Sequence, residues 1–141
     1  MPGLNHVGLT VSDLERSLEF YRDTVGMKPA YRTRIAGEWF DTLTHNRGAD
    51  IDVAQRELGG FSLQLVQYLA AGGERLALAH NQVGNPHLCI DVEDVEAKRR
   101  AIVAAGRLDP TPIVDIMASG TRSFYVADPD GVPVEFLQRA R

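Results

Sequence analysis

The chain has a single cysteine, Cys89, among its 141 residues, so it cannot form an internal disulfide. This cysteine usage is typical of proteins in a reducing compartment, and we expect a cytoplasmic protein. The alternation around Cys89 predicts a small buried hydrophobe in a strand, in preference to a nucleophile. No apolar run is long enough to span a bilayer, and the opening segment Met1–Asn5 does not resemble a secretory signal.

Clustered positive charge is also lacking. The formal net charge is −4, the sequence pI is about 5.5, and the one basic run, Lys98-Arg99-Arg100, lies in a helical pattern. Because nucleic-acid binding depends on clustered Lys and Arg, this composition argues against a nucleic-acid partner. We expect a small-molecule substrate, with no nucleic acid and no membrane as partner.

The main positive feature is an internal repeat. The segment HVGLTVSDLE begins at His6, and HLCIDVEDVE begins 81 residues later at His87. The segment GFSLQLVQ, which contains Gln64, lies 71 residues before GVPVEFLQ, which contains Glu135. If the two copies pack around a pseudo-twofold axis, His6, Gln64, His87 and Glu135 converge as two nitrogen and two oxygen donors, a set suited to a divalent metal.

Each copy reads as a strand, a helix and three further strands. Ser12-x-x-Glu15 predicts a capping box, and the helix that follows should bury Leu14, Leu18, Tyr21 and Val25 before it ends at Gly26. In the second copy Asp94 should cap a helix that turns Val95, Ala101, Ile102 and Ala105 inward and ends at Gly106. The predicted strands span 4–11, 27–35, 50–58, 61–68, 113–117, 123–127 and 132–138, with hairpin turns at Gly59-Gly60 and at 128–131.

These elements predict one α+β domain over residues 1–141, made of two βαβββ modules. The first module covers about 4–68, a linker about 69–86 and the second module about 87–138. The first copy is ten residues longer between its landmarks, and we place the surplus in 37–48 as a candidate active-site loop around Glu38-Trp39-Phe40.

The paired modules, together with HVGLTVSDLERSLEFYRDTVGM, NPHLCIDVEDVEA and FYVADPDGVPVEFLQ, resemble the vicinal oxygen chelate superfamily. That group contains glyoxalase I, epimerases, extradiol dioxygenases, fosfomycin resistance enzymes and bleomycin-binding proteins. The resemblance implies that the modules form a cupped, partly open mixed-sheet barrel. It also implies a metal held by His6, Gln64, His87 and Glu135, and a homodimer.

Imidazole, carboxylate and amide oxygen donors together suit Zn²⁺, Ni²⁺, Co²⁺, Fe²⁺ or Mn²⁺. The function that we expect is a metal-dependent lyase or isomerase of the glyoxalase I or epimerase type. In such an enzyme the ion chelates vicinal oxygens of a small substrate and stabilises an enolate-like intermediate, with Glu135 as catalytic base. Epimerases of this superfamily have a second carboxylate, which has no clean counterpart in this sequence. Asp50 and Asp52 are the nearest acids, and we expect them at a solvated strand edge.

Two alternatives stay open. An extradiol dioxygenase needs only His6, His87 and Glu135 on Fe²⁺ or Mn²⁺, and Tyr125 is then a candidate acid–base group. A ligand-sequestering resistance protein would use the same fold without catalysis. Candidate residues of the substrate pocket are Trp39, Phe40, Arg122 and Tyr125, although Arg122 could equally form a surface ion pair.

Overall fold

The computed structural model describes all residues, 1–141, and the chain divides into two compact units. Unit 1 is Met1–Arg75 and unit 2 is Leu76–Arg141, so the division falls inside the predicted linker. None of the helices has both the length and the apolar character needed to cross a membrane.

Unit 1 is a four-stranded mixed sheet with helices. Its elements are β1 (Val7–Thr10), α1 (Leu14–Phe20), a π-helical turn (Tyr21–Val25), β2 (Lys28–Ala36), α2 (Glu38–Thr44), β3 (Asp50–Leu58) and β4 (Phe61–Ala70). The strand order is β1-β4-β3-β2, in which β1 pairs parallel with β4 and the other pairs are antiparallel.

Unit 2 repeats this plan. Its elements are β5 (Leu88–Asp91), α3 (Val95–Ala105), β6 (Val114–Asp115), a 3₁₀ turn (Ile116–Ala118), β7 (Arg122–Ala127) and β8 (Pro133–Gln138). The strand order β5-β8-β7-β6, again with one parallel pair, matches that of unit 1 strand for strand. The prediction of an α+β protein with two βαβββ modules is therefore confirmed.

The helix that follows the first strand of each unit begins at an aspartate. The Asp13 side chain accepts from the backbone N–H of Arg16, and Asp94 accepts from that of Ala97. The prediction of Asp94 is confirmed, but the capping box at Ser12 is wrong by one residue. The reason is that Asp13, which stands beside Ser12, is the residue that has extended backbone angles and occupies the cap.

A glutamine from the last strand of each unit adds a second cap. Gln67 of β4 accepts from the N–H of Leu14 at 2.7 Å, and Gln138 of β8 accepts from the N–H of Val95 at 2.9 Å. Both N–H groups belong to the first residue of a helix, where no intrahelical acceptor exists. These two bonds tie each helix to the strand that carries a candidate metal ligand.

The helix that follows the first strand of each unit, α1 or α3, covers one face of its sheet. The predicted inward residues of the first helix are all buried, and Gly26 ends the π-helical turn with a φ of 90°. In α3, Val95 and Ile102 are buried and Gly106 ends the helix, as predicted. The predicted burial of Ala101 and Ala105 is wrong, because both are exposed. Lys98 turns inward instead, with its ammonium 4.9 Å from the centre of the Phe136 ring.

Two strand predictions need correction. The first strand is shorter than 4–11, and the predicted strand 113–117 keeps only Val114 and Asp115 because the chain then enters a 3₁₀ turn. The Gly59-Gly60 hairpin is confirmed: Leu58 pairs with Phe61, and both glycines have positive φ, as a two-residue turn of this kind requires.

The segment 37–48 is mainly a helix, α2, so the loop prediction is wrong. Phe40 anchors this helix in a small apolar cluster with Ala49, Ile51 and Val53. Ile51 and Val53 lie on the face of the sheet opposite to α1, since strand side chains alternate between faces. Burial of Phe40 there is the physical reason that the insertion is ordered as a helix.

Candidate metal centre

The four predicted metal donors occupy equivalent positions in the two units. His6 directly precedes β1 and His87 directly precedes β5, while Gln64 lies in β4 and Glu135 in β8. Gly8 pairs with Gln64, and Cys89 pairs with Glu135. Because side chains two residues apart share a face, each histidine is carried to the same face of its sheet as the oxygen donor of that unit.

This face of unit 1 is open at Gly8. A Cβ placed on Gly8 would meet no heavy atom within 4 Å, and His6 is exposed beside it. The Nδ1 atom of His6 lies 2.6 Å from the side-chain oxygen of Asn5. Since an amide oxygen only accepts, this contact fits the tautomer with the proton on Nδ1, in which Nε2 has the lone pair that a metal needs.

Gln64 is held from the edge strand of its sheet. Its amide nitrogen donates to the hydroxyl of Tyr31 in β2 at 3.1 Å, across the intervening Gln55 of β3. This hydrogen bond uses the nitrogen and leaves the amide oxygen as the atom that can act as a ligand.

Glu135 is a buried carboxylate with only 8% of its surface exposed. The hydroxyl of Tyr125, its register partner on β7, donates to Oε2 at 2.9 Å. Burial, and then this hydrogen bond, raises the pKa of Tyr125 to about 12. The phenol therefore stays protonated at neutral pH and acts as a donor to the carboxylate.

Cys89 differs from the prediction of a buried core residue, because it is exposed and lies on the same face as Glu135. Partial burial of the sulfur within this exposed residue, followed by the negative charge of Glu135 and a hydrogen bond with it, raises the pKa of the thiol to about 11. Its spacing of two residues from His87 was the sequence signal for this location. In unit 1 the equivalent position is Gly8.

Two histidines pack against Tyr125. The ring of His80 is 4.7 Å from the Tyr125 ring between centroids, and that of His87 is 6.2 Å away, both with edge-on geometry. His80 lies in an irregular segment outside the repeat, so no periodicity in the sequence pointed to it.

The predicted pocket residues differ in their exposure and contacts within their own units. Phe40 is buried in the apolar cluster, whereas Trp39 is 60% exposed. Arg122 forms an ion pair with Glu96 of α3, on the face of β7 opposite to Tyr125. The structure therefore shows the surface ion pair for Arg122, and we leave this residue out of the candidate site.

The donor chemistry fits a divalent ion. In His6, Gln64 and Glu135 one polar atom is held by a neighbour while a second atom is the potential ligand, an arrangement common around metal-binding side chains. The structure groups no three His, Cys, Asp or Glu side chains in a way that could hold a metal ion.

Two βαβββ modules with matched imidazole and oxygen donors define a class of metal-chelating folds. The chain matches the model of the Glyoxalase/Bleomycin resistance protein/Dioxygenase superfamily over residues 3–136, and it belongs to this superfamily.

Similar proteins include two kinds of named enzyme. The chain is 31% identical to a 2-epi-5-epi-valiolone epimerase from an Actinomyces species, over 95% of this chain and 78% of the epimerase. It is 28% identical to a lactoylglutathione lyase from Haemophilus influenzae, over 94% of this chain and 90% of the lyase.

Solved structures share the fold. A glyoxalase family protein from Bacillus cereus superposes with a TM-score of 0.84 at 16% identity, over 98% of this chain and 94% of that protein. A fosfomycin resistance protein from Listeria monocytogenes, crystallised with Mn(II) and sulfate, gives a TM-score of 0.65 at 19% identity, over 99% and 94%.

Proposed function

We propose that the protein is a divalent-metal-dependent lyase or isomerase that moves a proton at a carbon next to a carbonyl group of a small substrate. His6, Gln64, His87 and Glu135 supply the ligands. The observation that carries this proposal is the state of Glu135, a buried carboxylate with one oxygen held by Tyr125 and a histidine on the same face of its sheet.

A divalent ion held by these donors would act as a Lewis acid on the substrate carbonyl and make the adjacent carbon more acidic. Glu135 would be the general base in this proposal, because it is the single carboxylate among the donors and could accept the substrate proton once it dissociates from the ion. Burial excludes bulk water from this carboxylate, and Tyr125 fixes its orientation.

No second acid–base carboxylate enters the proposal. Asp50 and Asp52 accept hydrogen bonds from Arg34 and Arg32, and Asp52 lies on the face of β3 opposite to Gln55 and Gln64. Both aspartates therefore form surface ion pairs. A single base that removes and returns the proton fits these residues better than two opposed bases.

The relatives support the reaction class. An epimerase and a lactoylglutathione lyase each align with nearly the whole chain, and the Listeria fold relative was crystallised with Mn(II). We therefore place lyase or isomerase chemistry ahead of ligand sequestration.

Metal analysis of protein purified without chelator tests the ligand set. We expect about one divalent ion per chain, with a loss of most of this metal in His87→Ala and Glu135→Ala because each removes a strong donor. Gln64→Ala should lose less, since an amide oxygen is a weaker donor. His45→Ala is the matched control, because His45 ends α2 outside the donor set. Full metal content in either strong-donor variant would contradict the assignment.

A second candidate is an extradiol dioxygenase, favoured by the contact of His80 with the ring of Tyr125, whose hydroxyl donates to Glu135. Oxygen separates the two reactions. The proposed lyase or isomerase should turn over under strict anaerobiosis with Zn²⁺ or Ni²⁺ and place solvent deuterium at the reacting carbon. Stoichiometric O₂ uptake with a catechol, restored only by Fe²⁺ or Mn²⁺, would replace our proposal with the second candidate.

A further inference from the structure

We propose that Tyr31 and Tyr125 are positioning residues that orient the side chains of Gln64 and of Glu135 for metal binding. This inference rests on the proposed function, because it assumes that both side chains are ligands. Each tyrosine contacts one polar atom of a donor, and the two hydroxyls have opposite hydrogen-bond roles.

Tyr125 acts on a carboxylate. Its hydroxyl donates to Oε2 of Glu135 at 2.9 Å, and the Cys89 thiol also hydrogen-bonds to this carboxylate, so both contacts restrain the orientation of Glu135. Tyr125 itself is half-buried, and its ring packs against His80 and His87. These ring contacts restrain the position of the Tyr125 hydroxyl, and its hydrogen bond restrains the orientation of the Glu135 carboxylate.

Tyr31 acts on an amide, whose two ends differ in their chemistry. The oxygen has lone pairs that bind metals, whereas the nitrogen donates and is not a ligand. The Tyr31 hydroxyl accepts from the Gln64 nitrogen at 3.1 Å, and this contact holds the side chain in a rotamer that leaves the oxygen free. Loss of the hydroxyl would release the amide from this orientation.

The two tyrosines are not related by the repeat. Tyr125 is the register partner of Glu135, and the equivalent register partner of Gln64 is Gln55. Tyr31 reaches Gln64 from β2, one strand farther away. The two units therefore hold their oxygen donors by different routes, and alignment of the two copies does not reveal either contact.

The test is titration of metal-free protein with Co²⁺, followed by the absorption spectrum of the bound ion, which reports its ligands without any substrate. The variants are Tyr31→Phe and Tyr125→Phe, which keep the ring packing and remove only the hydroxyl. Tyr68→Phe is the matched control, because Tyr68 lies on the same sheet face as Gln64 but packs against the Phe40 cluster. His87→Ala tests the proposed function in the same experiment.

We expect Tyr31→Phe and Tyr125→Phe to bind Co²⁺ roughly tenfold or more weakly than wild type, as is usual when the support of a ligand is lost. Tyr125→Phe should also change the spectrum at saturation, while Tyr68→Phe stays within about twofold in affinity. Thermal unfolding of the metal-free variants should show that each is folded.

The possible failures are distinguishable. If wild type and His87→Ala bind Co²⁺ equally, or neither binds it, both the ligand set and this inference are overturned. If wild type binds, His87→Ala does not, and the two phenylalanine variants match wild type in affinity and spectrum, the ligand set stands and the positioning role is overturned.

Discussion

Replacing Gln67 by leucine removes the acceptor that the first N–H of α1 uses. Leu14, which carries this N–H, is only 1% exposed, so water cannot replace the glutamine oxygen that lies 2.7 Å away. A buried donor left without a partner costs about 1–3 kcal/mol. Leucine is similar in volume to glutamine and recovers part of this cost, so we expect a loss of about 1–2 kcal/mol in the free energy of unfolding.

Urea denaturation followed by circular dichroism measures this loss. With an m-value of about 2 kcal/mol per molar urea, the midpoint should fall by roughly 0.5–1 M while m is unchanged. Gln67→Glu is the control, because a carboxylate also accepts from the N–H and interacts favourably with a helix N-terminus. Gln138→Leu should behave like Gln67→Leu, since Val95 is 0% exposed.

The reasoning fails if Gln67→Leu changes stability by less than about 0.5 kcal/mol, or if the glutamate and leucine variants are equally destabilised. Either result would mean that the N–H of Leu14 finds another acceptor and that the strand does not anchor the helix through this bond.

Three further predictions concern acid stability, assembly and substrate contact. The hydrogen bond from Arg32 lowers the pKa of Asp52, so the stability that it adds is present above about pH 4 and is lost as the pH falls through the folded-state pKa. The melting temperature should therefore fall more steeply with decreasing pH for wild type than for Asp52→Asn, and parallel curves would refute this. The protein should be a homodimer, as the family resemblance implies, so light scattering at micromolar concentration should give twice the chain mass, and a monomeric mass would reject this. If Trp39, the single tryptophan, contacts substrate, ligand binding should reduce quenching of its fluorescence by acrylamide; unchanged quenching at saturation would remove Trp39 from the pocket.

Local chemistry and the repeat made much of this fold predictable. The Asp94 cap, the glycine stops, the buried stripe of the first helix and most strand positions follow from residue types and periodicity, which depend on neighbours along the chain. The equivalence of Gln64 and Glu135 follows from the repeat alone, and it agrees with their matched registers to Gly8 and Cys89.

Other features depend on residues that are far apart in sequence. Segment 37–48 is mainly helical because Phe40 packs in an apolar cluster with residues of β3. Arg122 forms an ion pair with Glu96 because α3 packs beside β7. Cys89 is exposed because the buried residues of β5 are Leu88 and Ile90, which lie on the other face of the strand.

Residue identity and repeat spacing are enough to predict the types of the four candidate donors and their places in two equivalent modules. The contacts that hold Gln64 and Glu135 depend instead on tertiary structure. Tyr31 is 33 residues from Gln64, and Tyr125 meets Glu135 across a pair of antiparallel strands. Such contacts exist only after strands have paired in register, because hydrogen bonds act over about 3 Å in space, whatever the separation along the chain.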